Sequence, residues 1–275
     1  MISAKTRLLA LIGSPVGHSL SPKMHNASFA AENLDYVYVA LDVEPQDLPP
    51  AVAGLKALNF RGFNITMPHK RAMIPLLDKL DEGARISGAV NTVVIEDSTL
   101  RGYNTDGGGM VMACTEAGIE LTGKRVLLLG AGGAATAIAL AFGREGITEL
   151  RIANRSVEHA VELREKLRGR GLKNVELYAP NSLDEAIHGA EVIVNATSLG
   201  MKDGDPLPVE HLGEARAVCD AVYLPGRETP LIRESRERGA RVVTGERMLL
   251  YQGVLAQRLW TGREPNVKAM DAAIS

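Results

Sequence analysis

The stretch Arg125-Val-Leu-Leu-Leu-Gly130-Ala-Gly132-Gly133-Ala-Ala135 runs from an unbroken apolar segment into a glycine-rich turn and then into alanines. A short apolar run closed by glycines reads as a buried strand, and the alanine-rich continuation reads as a helix. Strand, Gly-x-Gly-Gly-x-Ala turn and helix in that order point to a dinucleotide as ligand. Gly130 permits the tight turn, Gly132 lets the backbone approach a pyrophosphate, and the small Ala135 lets helix lie close on strand. The free N–H groups at the helix start complement the pyrophosphate charge.

Downstream, the same rhythm predicts strands at Glu149 to Ala153, Val175 to Tyr178, Glu191 to Asn195, Ala217 to Ala221 and Arg241 to Thr244, with helices between most of them. This is the pattern of one doubly wound sheet, of Rossmann type. An NAD-specific unit places Asp or Glu about 20 residues after the glycines, at the end of the next strand. Here that place holds Asn154-Arg155-Ser156. An acid would repel a 2′-phosphate, whereas the Arg155 guanidinium can hydrogen-bond one and Ser156 can add a neutral donor, so the expected cofactor is NADP.

Upstream, strands are predicted at Leu8 to Ile12, Tyr36 to Leu41, Phe60 to Thr66 and Val90 to Ile95, and helices at Pro22 to Glu32, Pro49 to Leu58 and Lys70 to Leu80. After Gly107-Gly108-Gly109 a helical stretch, Met110 to Gly118, leads into the Arg125 strand. The expected organisation is an N-terminal α/β substrate domain over residues 1–107, a dinucleotide-binding domain over 108–245, and a helical tail over 246–275 that packs back on the first domain. The tail pattern from Glu246 to Trp260 carries Met248, Leu249, Tyr251, Leu255 and Leu259 as its apolar positions.

With 275 residues, 45% hydrophobic and 23% charged, the chain has material for two globular cores. A net charge of −2 and scattered Lys and Arg give no footprint for nucleic acid or an anionic membrane. Cys114 and Cys219 stand alone in sequence, which argues against a metal site or a disulfide framework. No secretion signal or apolar run of membrane-spanning length is evident, so a cytoplasmic protein with small-molecule partners is expected, as monomer or homodimer.

Polar residues gather at three other places. Gly13-Ser-Pro-Val-Gly-His18-Ser19-Leu-Ser21-Pro22-Lys-Met-His25-Asn26 concentrates hydroxyls, imidazoles and an amide between a strand and a helix. Such neutral groups suit a hydroxy acid, with its carboxylate beside hydroxyls at a helix start. N-capping accounts for Ser21 before Pro22 and leaves Ser19 unassigned. Phe63-Asn64-Ile-Thr66-Met-Pro68-His69-Lys70 puts a lysine after a strand end, and Gly102-Tyr-Asn104-Thr-Asp106-Gly107 does the same for an aspartate. Lys70 as general acid with Asp106 as its orienting partner would be a minimal ketone-reducing apparatus facing the nucleotide across an interdomain cleft.

Taken in order, these motifs resemble the shikimate dehydrogenase family over essentially the whole chain. Gly88-Ala-Val-Asn91-Thr92, Asn195-Ala-Thr197-Ser198-Leu-Gly200-Met201, Asp220-Ala-Val-Tyr223, Thr229-Pro-Leu and Tyr251-Gln252-Gly253 complete the resemblance. It implies that Ser19 and Ser21 bind the substrate carboxylate, that Thr66, Asn91, Tyr223 and Gln252 hold carboxylate or ring hydroxyls, and that Lys70 and Asp106 are the catalytic pair. It further implies an NADP site made by Gly130, Ala131, Gly132, Gly133, Ala134, Asn154, Arg155, Ser156, Thr197, Met201 and Gly245. The chain departs from the family at His159, where many members carry a second basic residue, and has Glu158 just before it; the phosphate grip is expected to be weaker than usual. NAD-using quinate/shikimate relatives carry an aspartate at the place of Val157, which favours NADP here. Two alternatives stand beside this reading, a quinate/shikimate dehydrogenase using NAD or NADP and a catalytically silent NADP-binding sensor.

Overall fold

The computed structural model describes residues 2–172 and 174–275. The chain forms two compact units, one made of residues up to Thr105 together with Gln252–Ser275, the other of Asp106–Tyr251. Each has its own six-stranded sheet, so the fold is two-domain α/β.

The first unit contains β1 (Arg7–Gly13), α1 (Ser21–Ala31), β2 (Tyr36–Asp42), α2 (Leu48–Ala57), β3 (Gly62–Ile65), β4 (Lys79–Leu80), α3 (Glu82–Ser87), β5 (Thr92–Glu96) and β6 (Thr99–Tyr103). Its sheet order is β2-β1-β3-β5-β6-β4. β1 pairs parallel with β2 and β3, while β5 is antiparallel to both β3 and β6. Both faces of β1 are covered: Ala10 and Ile12 join Phe63 and Ile65 on one side, and Leu9 and Leu11 join Tyr38 and Trp260 on the other. That two-sided burial is why β1 reads as a continuous apolar run rather than an alternating one.

Three sequence expectations need correction. Lys70 to Leu80 is not a helix: turns lead to a short 3₁₀ segment at Ile74–Leu76 and then to β4. Pro75 lies inside that segment, and a proline ring there removes a helix hydrogen bond and clashes with the preceding turn. Strand β6 was not expected, because its hairpin turns on Asp97-Ser98, both with positive φ (48° and 59°), instead of the Asn-Gly pair that usually marks such turns. The helix expected from Met110 begins at Asp106, with the glycine triplet inside it. A Cβ on Gly107 would lie 2.1 Å from Ala137 O, so this glycine is where two helices of the second unit approach closely, not where a helix stops.

The second unit comprises α4 (Asp106–Glu116), β7 (Arg125–Leu129), α5 (Gly133–Arg144), β8 (Glu149–Ala153), α6 (Val157–Leu167), β9 (Val175–Tyr178), α7 (Leu183–Ile187), β10 (Val192–Asn195), β11 (Ala217–Asp220), α8 (Pro230–Glu237) and β12 (Arg241–Val243). All its strands are parallel, in the order β12-β11-β10-β7-β8-β9. The order reverses beside β7, and in open α/β sheets ligands bind at that switch point, outside the carboxyl ends of the strands.

Helix α9 (Gly245–Thr261) starts in the second unit and ends in the first; α10 (Val267–Ala272), which the sequence pattern did not suggest, follows it. Trp260 is the anchor of this segment: its indole N–H donates to Val93 O at 2.9 Å, and its own carbonyl accepts from Arg61 Nε at 2.9 Å. His25 meets its ring edge-on and Tyr38 lies tilted against it, the two stacking on each other. Gln257 Nε2 donates to Ser28 Oγ at 2.7 Å, which leaves Gln257 Oε1 to accept from His25 Nδ1 at 3.2 Å. Burial outweighs that hydrogen bond and lowers the His25 pKa to about 4. The unfolded chain binds this proton near pH 6.5 and the native chain only near 4, so His25 stability is present at neutrality and lost as pH falls between those values. From pH 7 to pH 5 the expected loss is about 2 kcal/mol. Urea unfolding followed by Trp260 fluorescence should show the wild type losing this much stability relative to His25→Leu, because all other titrations are common to both proteins; equal pH dependence in the two would rule His25 out as its source.

Candidate active site

In the first unit, three of the residues singled out from sequence, Ser21, Asn91 and Gln252, lie on one largely buried hydrogen-bond network. Ser19 Oγ accepts from Ser21 N at 3.2 Å. Ser21 opens α1 as its first helical residue, with Leu20 at the N-cap and no side-chain cap, so capping does not explain this serine. Its hydroxyl meets the phenol of Tyr38 instead. The Tyr38 hydroxyl donates to Asn64 Oδ1 at 2.8 Å, so the Ser21 hydroxyl is the donor toward Tyr38. Burial drives the Tyr38 pKa upward, which keeps it a neutral donor. Asn64 Nδ2 in turn donates to Asn91 O at 3.0 Å and Thr92 Oγ1 at 2.9 Å.

Asn91 is the hub. Its Oδ1 accepts from Thr105 N at 2.9 Å and Thr92 Oγ1 at 3.0 Å, and its Nδ2 reaches Thr105 Oγ1 at 2.9 Å and Gln252 Oε1 at 3.3 Å. Ser21, Asn91 and Gln252, far apart in sequence, are thus parts of one network. Tyr38 and Thr105 link it and were missed from sequence, because a tyrosine inside a strand and a threonine in a turn carry no signal of their partners.

Lys70 is half-buried in the turn after β3, and its carbonyl accepts from Val90 N at 2.8 Å, which places its backbone beside the Asn91 segment. His69, almost fully buried, donates from Nε2 to Val43 O at 2.6 Å and fixes the turn one residue earlier. Thr66 is half-buried at the end of β3, its N–H donating to Ile12 O at 2.9 Å. Asp106 is buried, follows Thr105 directly and is the first residue of α4.

In the second unit, Gly130 has φ +105°, and a Cβ there would sit 2.9 Å from Ala196 O, so both conformation and space demand glycine. Gly132 is different. It is exposed, at the N-cap of α5, and no atom of the protein lies within 4 Å of where its Cβ would be. Nothing in the fold requires glycine at that point, whereas a pyrophosphate lying on the backbone would. Ala131 is buried beneath the turn, while Gly133 and Ala134 are half-exposed at the helix start.

At the end of β8, Asn154 Nδ2 donates to Ser156 O at 2.8 Å and shapes the turn. Arg155 is exposed and has no ion-pair partner among the described residues. Ser156 caps α6, accepting from His159 N at 3.4 Å, and its own proton goes to Glu158 Oε2 at 2.7 Å. That hydrogen bond, with the nearby His159, lowers the Glu158 pKa, so a carboxylate holds the hydroxyl that sequence reasoning offered to a phosphate. Thr197 sits over Gly130 and donates from both N and Oγ1 to Asn195 Oδ1, at 3.1 and 2.7 Å. Met201, four residues further on, is exposed, and Tyr223 is half-buried after β11. Gly245 begins α9 with backbone so near Val222 that a Cβ would fall 2.3 Å from its oxygen, a packing reason for glycine there.

A parallel sheet with an open glycine turn and an unpaired arginine at the next strand end fits a phosphorylated dinucleotide, and the other unit offers a hydroxyl-and-amide network next to a lysine. Together they define a two-domain α/β oxidoreductase of the dinucleotide-dependent class. Family models agree in order along the chain: the shikimate dehydrogenase substrate binding domain matches residues 11–93, shikimate / quinate 5-dehydrogenase matches 112–201, and the shikimate 5′-dehydrogenase C-terminal domain matches 245–274. A shikimate dehydrogenase (NADP(+)) of Rubrobacter xylanophilus is 58% identical, covering 100% of this chain and 97% of its own. The crystal structure of shikimate dehydrogenase from Aquifex aeolicus superposes with a TM-score of 0.90 at 38% identity, covering 100% and 99% of the two chains. That of shikimate 5-dehydrogenase from Thermus thermophilus in complex with NADP(H) and shikimate gives 0.86 at 38% identity, covering 98% of each. The chain belongs to the shikimate dehydrogenase family.

Proposed function

We propose that the chain is an NADP-dependent shikimate dehydrogenase, reducing 3-dehydroshikimate to shikimate reversibly on the route to chorismate and the aromatic amino acids. The observation that carries this reading is the pairing, in one chain, of the Ser21 to Gln252 network with an open Gly132 turn and an Arg155 free of acids. NADPH, when bound, supplies the hydride. The rest of the work falls to side chains of the protein. Ser19 and Ser21 receive the substrate carboxylate, the Ser21 hydroxyl turning from Tyr38 to the ligand. Thr66, Asn91, Tyr223 and Gln252 hold the remaining carboxylate and hydroxyl oxygens, and the fixed hydrogen bonds of Asn91 keep its amide from rotating. Lys70 Nζ gives its proton to the oxygen that becomes the alcohol, with Asp106 as the other member of the catalytic pair.

Gly130, Ala131, Gly132, Gly133 and Ala134 would hold the cofactor pyrophosphate, Arg155 with Asn154 and Ser156 would hold its 2′-phosphate, and Thr197, Met201 and Gly245 would complete the cofactor site. The protein works in the cytoplasm, as monomer or homodimer; no helix among the described residues is long and apolar enough to cross a membrane. The direct test is incubation of the purified protein with 3-dehydroshikimate and NADPH. Stoichiometric formation of shikimate and NADP is expected, and cofactor binding without turnover would instead make the chain a silent sensor.

A further inference from the structure

Asp220, the last residue of β11, is almost completely buried, yet every group hydrogen-bonded to its carboxylate is a donor. Thr229 Oγ1 donates to Oδ2 at 2.6 Å, Asn195 Nδ2 to Oδ1 at 2.9 Å, and Val222 N to Oδ1 at 3.0 Å. Three donors converge on one side chain, and hydrogen bonds to an ionised carboxylate are roughly twice as strong as those to the neutral acid, which would have to place its own proton on Thr229 Oγ1. Two of those donors belong to segments with work to do. Asn195 accepts from Thr197 N and Oγ1 on its Oδ1, and its Nδ2 also donates to Leu199 O at 3.1 Å, so it shapes the loop to Met201. Val222 directly precedes Tyr223. Thr229 in turn caps α8, accepting from Ile232 N at 3.3 Å, and closes the loop that starts at Tyr223.

We propose that Asp220 is a positioning residue for the reaction: as a carboxylate it ties the loop after β10 to the turn after β11, holding the Thr197–Met201 segment and Tyr223 in one arrangement. This rests on the dehydrogenase reading, in which those two segments face cofactor and substrate. Burial disfavours the charge and outweighs the three hydrogen bonds, and Glu246 in the first turn of α9 adds repulsion, so the Asp220 pKa is raised to about 6. The remaining titratable neighbours are the thiols of Cys219 and Cys114, 3.7 Å apart and buried; the Cys219 pKa is pushed well up, so it stays neutral. A carboxylate kept ionised at a site that disfavours charge is a device for geometry, since a neutral amide would fold there more easily.

Protonation turns the charge-assisted hydrogen bonds from Asn195 and Val222 into weaker neutral ones and reverses the Thr229 contact, so the two segments loosen below about pH 6. Steady-state kinetics with shikimate and NADP across pH 5 to 8 read this out. Wild-type kcat/KM should fall roughly tenfold from pH 7 to pH 5, because a group with its midpoint near 6 is about one-tenth ionised at pH 5. Asp220→Asn should lose roughly tenfold or more in kcat/KM at pH 7.5 with no loss of thermal stability, and the ratio of wild-type to variant kcat/KM should fall roughly tenfold from pH 7 to pH 5. Titration of the cofactor 2′-phosphate is common to both proteins and cancels in their ratio. Thr229→Val removes one donor from the carboxylate and should move the limb to higher pH, an effect that a merely structural role would not produce. A variant Asp220→Asn with wild-type kcat/KM, or an acid limb identical in all three proteins, would overturn the proposal. Wild-type protein unable to oxidise shikimate at any pH would refute the activity itself rather than the role of Asp220.

Discussion

Lys70→Met should bind shikimate almost as tightly as the wild type and lose roughly 10²–10⁴-fold in kcat, the range typical for removal of a positioned acid or base. At about 1.4 kcal/mol per factor of ten, that is about 3–5 kcal/mol of transition-state stabilisation. The turn that carries Lys70 is held from three sides without using its ammonium group: by Thr66 N on Ile12 O, by His69 on Val43 O, and by Val90 N on the Lys70 carbonyl. Methionine of similar length should therefore leave the turn and the adjacent network intact. The expected signature is a kcat effect with little change in the shikimate Kd from equilibrium titration. Near-normal kcat would remove Lys70 from the chemistry, and a loss carried entirely by Kd would make it a binding residue.

The second large effect belongs to Arg155. A charge-assisted hydrogen bond contributes about 1.5–3 kcal/mol, which is roughly 10–150-fold in kcat/KM. Arg155 is exposed, carries no ion pair among the described residues and follows directly on β8, so its removal costs the fold little. Arg155→Ala should accordingly lower kcat/KM for NADP by that factor and leave NAD almost unchanged. Glu158 acts in the opposite sense. Its carboxylate takes the Ser156 proton and stands near the same helix start, so Glu158→Gln should raise the preference for NADP by a few-fold through lost repulsion. Equal losses for both cofactors in Arg155→Ala would mean that the arginine supports the loop or the adenine rather than the phosphate.

How far the sequence carried these conclusions differs between the two units, for physical reasons. Strands β7, β8 and β9 lie where they were expected: β7, buried on both faces, writes itself as an uninterrupted apolar run, while β8 and the edge strand β9 alternate apolar with charged residues. The first unit mixes parallel and antiparallel pairing, and its hairpin β5–β6 turns on Asp97-Ser98, a pair without the usual glycine signal. The segment after Lys70 has a helical apolar spacing that Pro75 overrides. A glycine triplet of low helix propensity reads as a break, but the packing of Gly107 against Ala137 rewards the absence of a side chain more than propensity penalises it. Among the candidate site residues, Ser21, Asn91 and Gln252 were legible as types, yet the joining of all three through Tyr38, Asn64, Thr92 and Thr105 is a tertiary fact that no local spacing encodes. The proton of Ser156 going to Glu158 is likewise a rotamer choice rather than a motif.

The measurement closest to the central claim is kcat/KM for shikimate and for quinate, each with NADP and with NAD, on the wild-type protein under one set of conditions. Quinate bears an extra hydroxyl at C1, beside the carboxylate that Ser19 and Ser21 are proposed to hold, and an acid-free Arg155 site favours the phosphorylated cofactor. The account predicts that shikimate with NADP is the best pair and that NADP exceeds NAD by about 10²-fold, the size set by one charge-assisted contact with His159 only partly charged near neutrality. A wild-type enzyme that prefers NAD, or that turns over quinate as well as shikimate, would contradict it and place the chain with the quinate/shikimate dehydrogenases.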